Sequence, residues 1–402
     1  MQNKMTNLPQ GWEVKKLEEI ANIKGGKRLP KGENLLDNNT KFTYIRVADF
    51  QDNGTINLQN IKFINENTYN VLKNYKIYDD NLYISIAGTI GKSGIIPKEL
   101  NGAILTENAV KLEYIQNNIS NKFMYFFTLS NIFKTQIQTS TKIVAQPKLA
   151  ITRLKQIQIP LPPLKEQERI VGILDESFAK IDESIKILEQ NLLNLDELMQ
   201  SALQKAFNPL KDNAKENYKL PQSWEWKSLE EISENISAGG DKPKNCTESK
   251  TAKNQIPVYA NGVNNNGLVG YTDKATIIKP SLTISARGTI GFVCIRKEPY
   301  FPIVRLISLI PCENILCLHY LYFCLNFFIA KGEGSSIPQL TIPKFKSLQI
   351  PLPPLKEQEQ ITSHLDELSS HVKNLKQNYQ AQIKDLQELK NSLLDKAFKG
   401  NL

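Results

Sequence analysis

No run of apolar residues in this 402-residue chain reaches the roughly 18 positions that a membrane-crossing helix needs, so a helical membrane span is excluded. Met1 to Pro9 is polar and lacks the apolar centre of a secretory signal, which predicts a cytoplasmic protein. The first half holds no cysteine. The five present (Cys246, Cys294, Cys312, Cys317, Cys324) form no C-x-x-C pair, which argues against a disulfide framework and for reduced packing residues. Cys312, Cys317, His319 and Cys324 lie close together, but their spacing fits no common zinc pattern and they overlap the apolar stretch Ile315 to Ile329, so no metal is expected. A phosphate-binding loop is also missing: Gly91-Lys92-Ser93 carries its ending, yet the required glycine position holds Ile86.

What is present is a repeat. Ile159 to Glu176 (IPLPPLKEQERIVGILDE) returns 191 residues later as Ile350 to Glu367 (IPLPPLKEQEQITSHLDE), identical at 14 of 18 positions. The same offset carries Leu198 to Phe207 onto Leu389 to Phe398, so each copy is one intact unit. A second echo, Leu8 to Ile20 (LPQGWEVKKLEEI) and Leu220 to Ile232 (LPQSWEWKSLEEI), runs at an offset of 212. The change of offset locates variable segments, about 21–146 and 233–338, inside each half. The order is therefore lead-in, variable domain and long helix, twice over.

The helices follow from local chemistry. Pro162 and Pro163 open the first, with Glu166 and Glu168 in its first turn; Pro353, Pro354, Glu357 and Glu359 do the same for the second. Val171, Leu174, Phe178, Ile181, Ile185, Leu188, Leu192, Leu195 and Met199 recur at steps of three and four, a coiled-coil seam. Ile361, Leu365, Leu368, Val372, Leu375, Tyr379, Ile383 and Leu386 form a looser version. Asn208-Pro209 predicts the first stop and Gly400 the second. About 40 residues at 1.5 Å each make roughly 60 Å, too long to bury in one small domain. Pairing within one chain is favoured over dimerisation because the two seams are at high effective concentration for each other. A pseudo-two-fold relation between the halves requires the pair to be antiparallel. The predicted class is α+β: two mixed α and β domains (1–160 and 209–351) joined by two long helices (161–208 and 352–402).

Strands are expected at Phe42 to Phe50, Asn81 to Ile86, Ile256 to Ala260, Ala275 to Ile278 and Leu282 to Ile284, with a helix over Leu316 to Ile329 and turns at Asp52-Asn53-Gly54 and Asn101-Gly102. Gly88-Thr89-Ile90-Gly91 and Gly288-Thr289-Ile290-Gly291 each follow a strand. Each is either a plain tight turn or a loop whose bare backbone approaches a phosphate.

The net charge of +9 and pI near 9.0 suit a polyanion partner. Lys24, Lys27, Arg28 and Lys31 cluster early in the first variable domain, and Lys242, Lys244, Lys250 and Lys253 at the corresponding place in the second; they are solvated loop residues or a phosphate-tracking patch. Arg46, Lys92 and Arg287 are further candidate DNA contacts. Asn261 to Gly267 (NGVNNNG) reads first as turns, and Asn264, Asn265 and Asn266 are candidates for pairing with adenine.

The two IPLPPLKEQE segments, the lead-ins GWEVKKLEEI and SWEWKSLEEI, YIRVADF (Tyr44 to Phe50), IPVYANG (Ile256 to Gly262) and the paired GTIG turns together resemble the Type I restriction-modification specificity subunits, over essentially the whole chain. The resemblance implies a non-catalytic DNA reader. Each variable domain would read one half of a split double-stranded DNA site, and the helices would set the gap and dock two methyltransferase subunits. Those partners would carry S-adenosylmethionine and methylate adenine, and restriction subunits would add ATP- and Mg-dependent translocation and cleavage, leaving this chain without a cofactor. Its own sequence agrees: the adenine methyltransferase motif Asn-Pro-Pro-aromatic has only the near miss Asn208-Pro209-Leu210, and no nuclease constellation is apparent. The rivals are a coiled-coil scaffold whose end domains bind proteins and a self-contained restriction-methyltransferase, for which two readers leave little room.

Overall fold

The computed structural model describes residues 8–37, 40–140, 148–207, 223–329, 332–333 and 340–402. The expected helix stop at Asn208-Pro209 lies outside them. The chain divides into two compact units, Met1–Leu188 with Ala381–Leu402 and Glu189–Gln380. This differs from a division into two readers and two separate helices, because each unit takes up part of both helices. The physical reason lies in the cores described below, which run without a break from the sheets onto the helix faces.

In the first unit β1 (Glu13–Lys16), α1 (Leu17–Ile20) and β2 (Ala21–Gly25) are followed by β3 (Thr43–Ile45), β4 (Lys62–Phe63), α2 (Glu66–Leu72), β5 (Lys76–Ile77), β6 (Leu82–Ser85), β7 (Ser93–Ile95), β8 (Ala103–Leu105) and β9 (Ala109–Tyr114). Helices α3 (Asn121–Leu129), α4 (Asn131–Ser140) and α5 (Ile151–Lys155) precede β10 (Gln158–Leu161) and the long α6 (Leu164–Phe207). One sheet has the order β2-β9-β6-β7 and is antiparallel throughout; another has the order β4-β3-β8-β5, with β3 and β8 parallel. Strand β6 is buried on both faces, which is why Leu82-Tyr83-Ile84 is continuously apolar rather than alternating. The expected strand Phe42 to Phe50 is shorter: after Ile45 the chain turns into a 3₁₀ segment, Val47–Asp49, closed by the Asp49 carboxylate accepting from the Arg46 backbone N–H at 2.7 Å.

The second unit repeats this plan with different residues. It contains β11 (Glu225–Ser228), β12 (Ser233–Ala238), β13 (Ile256–Tyr259), β14 (Leu268–Thr272), β15 (Ser281–Ile284), β16 (Thr289–Ile290), β17 (Val293–Arg296), β18 (Phe301–Pro302) and β19 (Ile307–Pro311). Then come α7 (Leu318–Phe328), β20 (Gly332–Glu333), α8 (Ile342–Lys346), β21 (Gln349–Leu352) and α9 (Leu355–Ala397). The order β12-β19-β15-β17 matches β2-β9-β6-β7, and parallel β13-β18 matches β3-β8. The predicted strand Ala275 to Ile278 is a correction: only an isolated bridge, Ile277 with Tyr300, forms there, and Ile278 is 70% exposed.

The two sequence echoes turn out to be partners. In the first unit the lead-in strand β1 pairs antiparallel with β10 of the IPLPPL segment, Glu13 opposite Leu161 and Lys15 opposite Ile159. In the second, β11 pairs with β21 in the same register, Glu225 opposite Leu352 and Lys227 opposite Ile350. A buried glutamine then fixes each ribbon to its helix. Gln167 Oε1 accepts from the Ser120 N–H at 2.9 Å while its Nε2 donates to Asn118 and Pro162 carbonyls. Gln358 Oε1 accepts from the Cys317 N–H at 2.8 Å while its Nε2 donates to Ile315 and Pro353 carbonyls.

Within each unit the ends of α6 and α9 run antiparallel. In the first, Leu174 packs in one core with Leu394, Ala397 and Phe398, and Asp182 pairs with Lys390. In the second, Leu203 and Phe207 share a core with Leu365, and Asp196 pairs with Lys376. The repeat maps these onto each other: Phe398 packs on Phe123 and Phe127 of α3 as Phe207 packs on Tyr320 and Phe327 of α7. Each such ring contributes about 2–3 kcal/mol of burial. Of the predicted seam, Leu174, Ile181, Leu195, Leu365 and Val372 are buried, and Phe178, Ile185, Leu188, Leu192, Leu368, Tyr379, Ile383 and Leu386 half-buried. Leu375 is the exception: it is 40% exposed, and the neighbouring Lys376 faces Asp196. No helix among the described residues is long and apolar enough to cross a membrane.

Candidate nucleic-acid interface

At one end of each unit the sheet loops are tied together by backbone hydrogen bonds. In the first unit the Gly26 N–H donates to Ala109 O (3.0 Å) and Lys27 N–H to Leu105 O (2.9 Å), which lays the Lys24 to Lys31 stretch on the turn 106–109. Ile86 N–H donates to Asn108 O at 2.8 Å, bringing in the Gly88 to Gly91 turn. In the second unit Gly239 N–H donates to Leu306 O (2.8 Å), and the Val304 and Arg305 N–H groups donate to Gly240 O and Gly239 O, each at 2.8 Å. Two glycines permit this close crossing. A Cβ on Gly26 would stand 2.1 Å from Thr106 O, and one on Gly239 2.6 Å from Ile303 N.

The first GTIG segment is the turn joining β6 to β7; the second lies between β15 and β17, and its central Thr289–Ile290 form β16, paired antiparallel with β20. Gly88 and Gly288 have φ of +73° and +70°, and Gly91 and Gly291 +87° and +80°, so glycine is favoured for backbone reasons. Space beyond the Cα of Gly88 and Gly288 is open and both residues are exposed, so the turn reading holds and the bare backbone at each tip also faces solvent.

The predicted basic residues differ in their circumstances. In the first unit Lys24 pairs with Glu113 at 2.6 Å, Arg28 with Glu107 at 2.7 Å and Lys92 with Asp52 at 2.8 Å. Lys27 lies over the Tyr75 ring, and Lys31 is exposed. Burial pushes the Glu107 carboxyl up, but Arg28, Thr106 and its own backbone outweigh this and hold it below the usual carboxylate range. Arg46 is a structural residue: its guanidinium grips the buried Asp49 (2.6 and 3.1 Å) and the Asn60 carbonyl, the first contact raising its pKa. In the second unit Lys242, Lys244 and Arg287 are exposed, Lys253 pairs with Asp273 at 3.5 Å and Lys250 lies over Tyr271. Asn264, Asn265 and Asn266 are exposed in a tight turn where Asn265 and Asn266 have φ of +48° and +52°.

Three features at this end escaped sequence reasoning. The Asn261 side chain is a hub: Nδ2 donates to Val304 O at 2.6 Å and Oδ1 accepts from Ala286 N–H at 2.8 Å, joining the asparagine loop, the Arg287-Gly288 turn and the 303–306 turn. The crossing glycines were visible only as Gly25-Gly26 and Gly239-Gly240. Val304 and Arg305 gave no signal at all. His319, considered for zinc, bonds Asp366 at 2.9 Å through Nδ1, and Cys324 is fully buried. Among the described residues no group of three or more potential metal ligands occurs.

Comparison with known proteins gives a consistent result. A family model described as the Type I restriction modification DNA specificity domain matches residues 9–193 and 221–385, the two repeats traced by the echoes. A putative type I specificity subunit of Mycoplasma pneumoniae is 29% identical over 88% of this chain and 88% of its own length. Two solved chains share the fold at 21% identity. One, from work on complex assembly and conformational transition of the type I R-M system, has a TM-score of 0.81 over 98% of this chain and all of that one. The other, the HsdS subunit from Thermoanaerobacter tengcongensis, has a TM-score of 0.59 over the whole of both chains.

Proposed function

Because the chain belongs to the Type I restriction modification DNA specificity family, we propose that its two units read the two unlike halves of an asymmetric, bipartite duplex site, while partner methyltransferase subunits supply the chemistry. The observation that carries this is duplication of framework without duplication of tips. The ribbons, glutamine staples and sheet orders repeat, whereas the loops do not: Glu107-Asn108 stands where the second unit has Val304-Arg305, and Ala87 where it has Arg287. Exposed lysines and bare glycine turns hold phosphates, and the side chains at the tips read base edges. Because much of the affinity is phosphate contact, binding weakens steeply with salt.

The antiparallel helices act as the spacer and, with the repeated segments, as the docking surface for two methyltransferase subunits; restriction subunits complete the assembly. S-adenosylmethionine, ATP and Mg belong to those partners. Adding one heptad to both α6 and α9 lengthens the spacer by roughly 10 Å, or about three base pairs of unspecified gap. The test is to co-express this chain with a methyltransferase subunit of its type and map methylated adenines. A bipartite site whose gap grows in the heptad variant supports the reading; a continuous palindrome, or a gap that does not respond, overturns it.

A further inference from the structure

The turn 303–306 closes with Leu306 N–H donating to Ile303 O at 3.1 Å, and both central residues are left-handed: Val304 at φ +53° and Arg305 at +59°. Such a turn favours Asn-Gly, and a β-branched valine suits it least. Packing does not compensate. Val304 is 50% exposed, Arg305 is exposed, and Arg305 forms no ion pair with a carboxylate among the described residues. The corresponding turn of the first unit, closed by Ala109 N–H to Thr106 O, has Glu107 and Asn108 at its centre, neither with positive φ. The four described non-glycine residues with positive φ are Asn265, Asn266, Val304 and Arg305, and all lie in the loops joined through Asn261 at this end of the second unit.

Neither conformational preference nor burial accounts for valine and arginine here, so the strain is retained for something outside the fold. We infer that Val304-Arg305 is the base-reading tip of the second unit: Arg305 makes a bidentate contact with O6 and N7 of a guanine in the major groove, and Val304 covers a neighbouring thymine methyl. This inference rests on the DNA-reading function proposed above. The Asn261 bridge and the two Gly239-Gly240 carbonyls hold the backbone of the tip, so only the Arg305 side chain is left to order on binding.

Three variants of the full chain, each co-expressed with the methyltransferase, test this by adenine mapping and by thermal unfolding of the purified chain. Arg305→Ala loses discrimination at one guanine of the second half-site by about tenfold or more, and Arg305→Lys does not restore it, because an ammonium cannot span both acceptors. The double variant Val304→Asn with Arg305→Gly suits the turn, so its unfolding midpoint rises while second half-site discrimination falls; the first half-site keeps its sequence in all three. If the wild-type chain marks a bipartite site and the variants leave its second half unaltered, this inference alone is overturned. A wild-type chain that directs no adenine mark overturns it together with the reading beneath it. A fall in the double variant's midpoint also overturns it, since the Val-Arg pair would then serve the fold.

Discussion

Replacing Gln358 by leucine tests how the framework is held together. The side chain is fully buried and makes three hydrogen bonds, accepting from the N–H of Cys317 at the start of α7 and donating to the Ile315 and Pro353 carbonyls. Leucine keeps nearly the same volume, so no cavity opens and the cost is that of leaving these three groups without a partner. At roughly 1–3 kcal/mol for each orphaned group, reduced for carbonyls that relax, the expected loss is about 3 kcal/mol. Urea unfolding followed by tryptophan fluorescence reads it, because Trp224 and Trp226 lie in the second unit and Trp12 in the first. With a urea dependence of about 3 kcal/mol per M, the midpoint of the second unit falls by about 1 M. Gln167→Leu does the same to the first unit, since Gln167 makes the corresponding contacts with Ser120, Asn118 and Pro162. A shift below about 0.3 M in either variant refutes the staple argument.

Other expectations are simpler to state. Phe207→Ala removes a fully buried ring packed edge-on against Tyr320 and tilted against Phe327 and costs about 3–5 kcal/mol, with Phe398→Ala matching it in the first unit; chemical denaturation of the two variants checks both the size and the symmetry. Asn261→Ala disconnects Val304 O from Ala286 N–H, so amide exchange at 286–288 and 303–305 quickens; unchanged protection there removes the hub from the account. The Glu107 carboxyl sits below its ordinary range in the folded chain, so its stabilisation is complete above about pH 4.3 and is lost as pH falls through the depressed folded value. Glu107→Gln therefore flattens part of the acid limb of the stability curve, and an unaltered limb shows that the Arg28 pair contributes nothing.

Much of the framework was legible because it is written twice. The 14 identities between Ile159 to Glu176 and Ile350 to Glu367, and the shift from 191 to 212, placed the repeats, the long helices and the variable inserts. Periodicity found α6, α9 and α7, whose apolar spacing is dense. It failed at Ala275 to Ile278, where Ala-Thr-Ile-Ile makes one bridge, and at Leu375, which a loosened seam leaves 40% exposed. Charge clustering could not separate Lys24 and Arg28, which pair with Glu113 and Glu107, from Lys242 and Lys244, which face solvent. That distinction depends on which carboxylates the fold brings near, and these come from distant positions such as Glu107 and Glu113.

The sequence by itself determined the duplication and the helices, because identity between copies and helical spacing are local properties that survive in one dimension. Only the tertiary structure decided that the lead-in and IPLPPL echoes are strands of one ribbon, that the repeated glutamine is a buried staple, and that a valine and an arginine with no sequence signal stand strained beside Asn261. Those facts rest mainly on contacts between residues tens to more than a hundred positions apart, fixed by chain crossing and burial, and no local pattern of residue types encodes them.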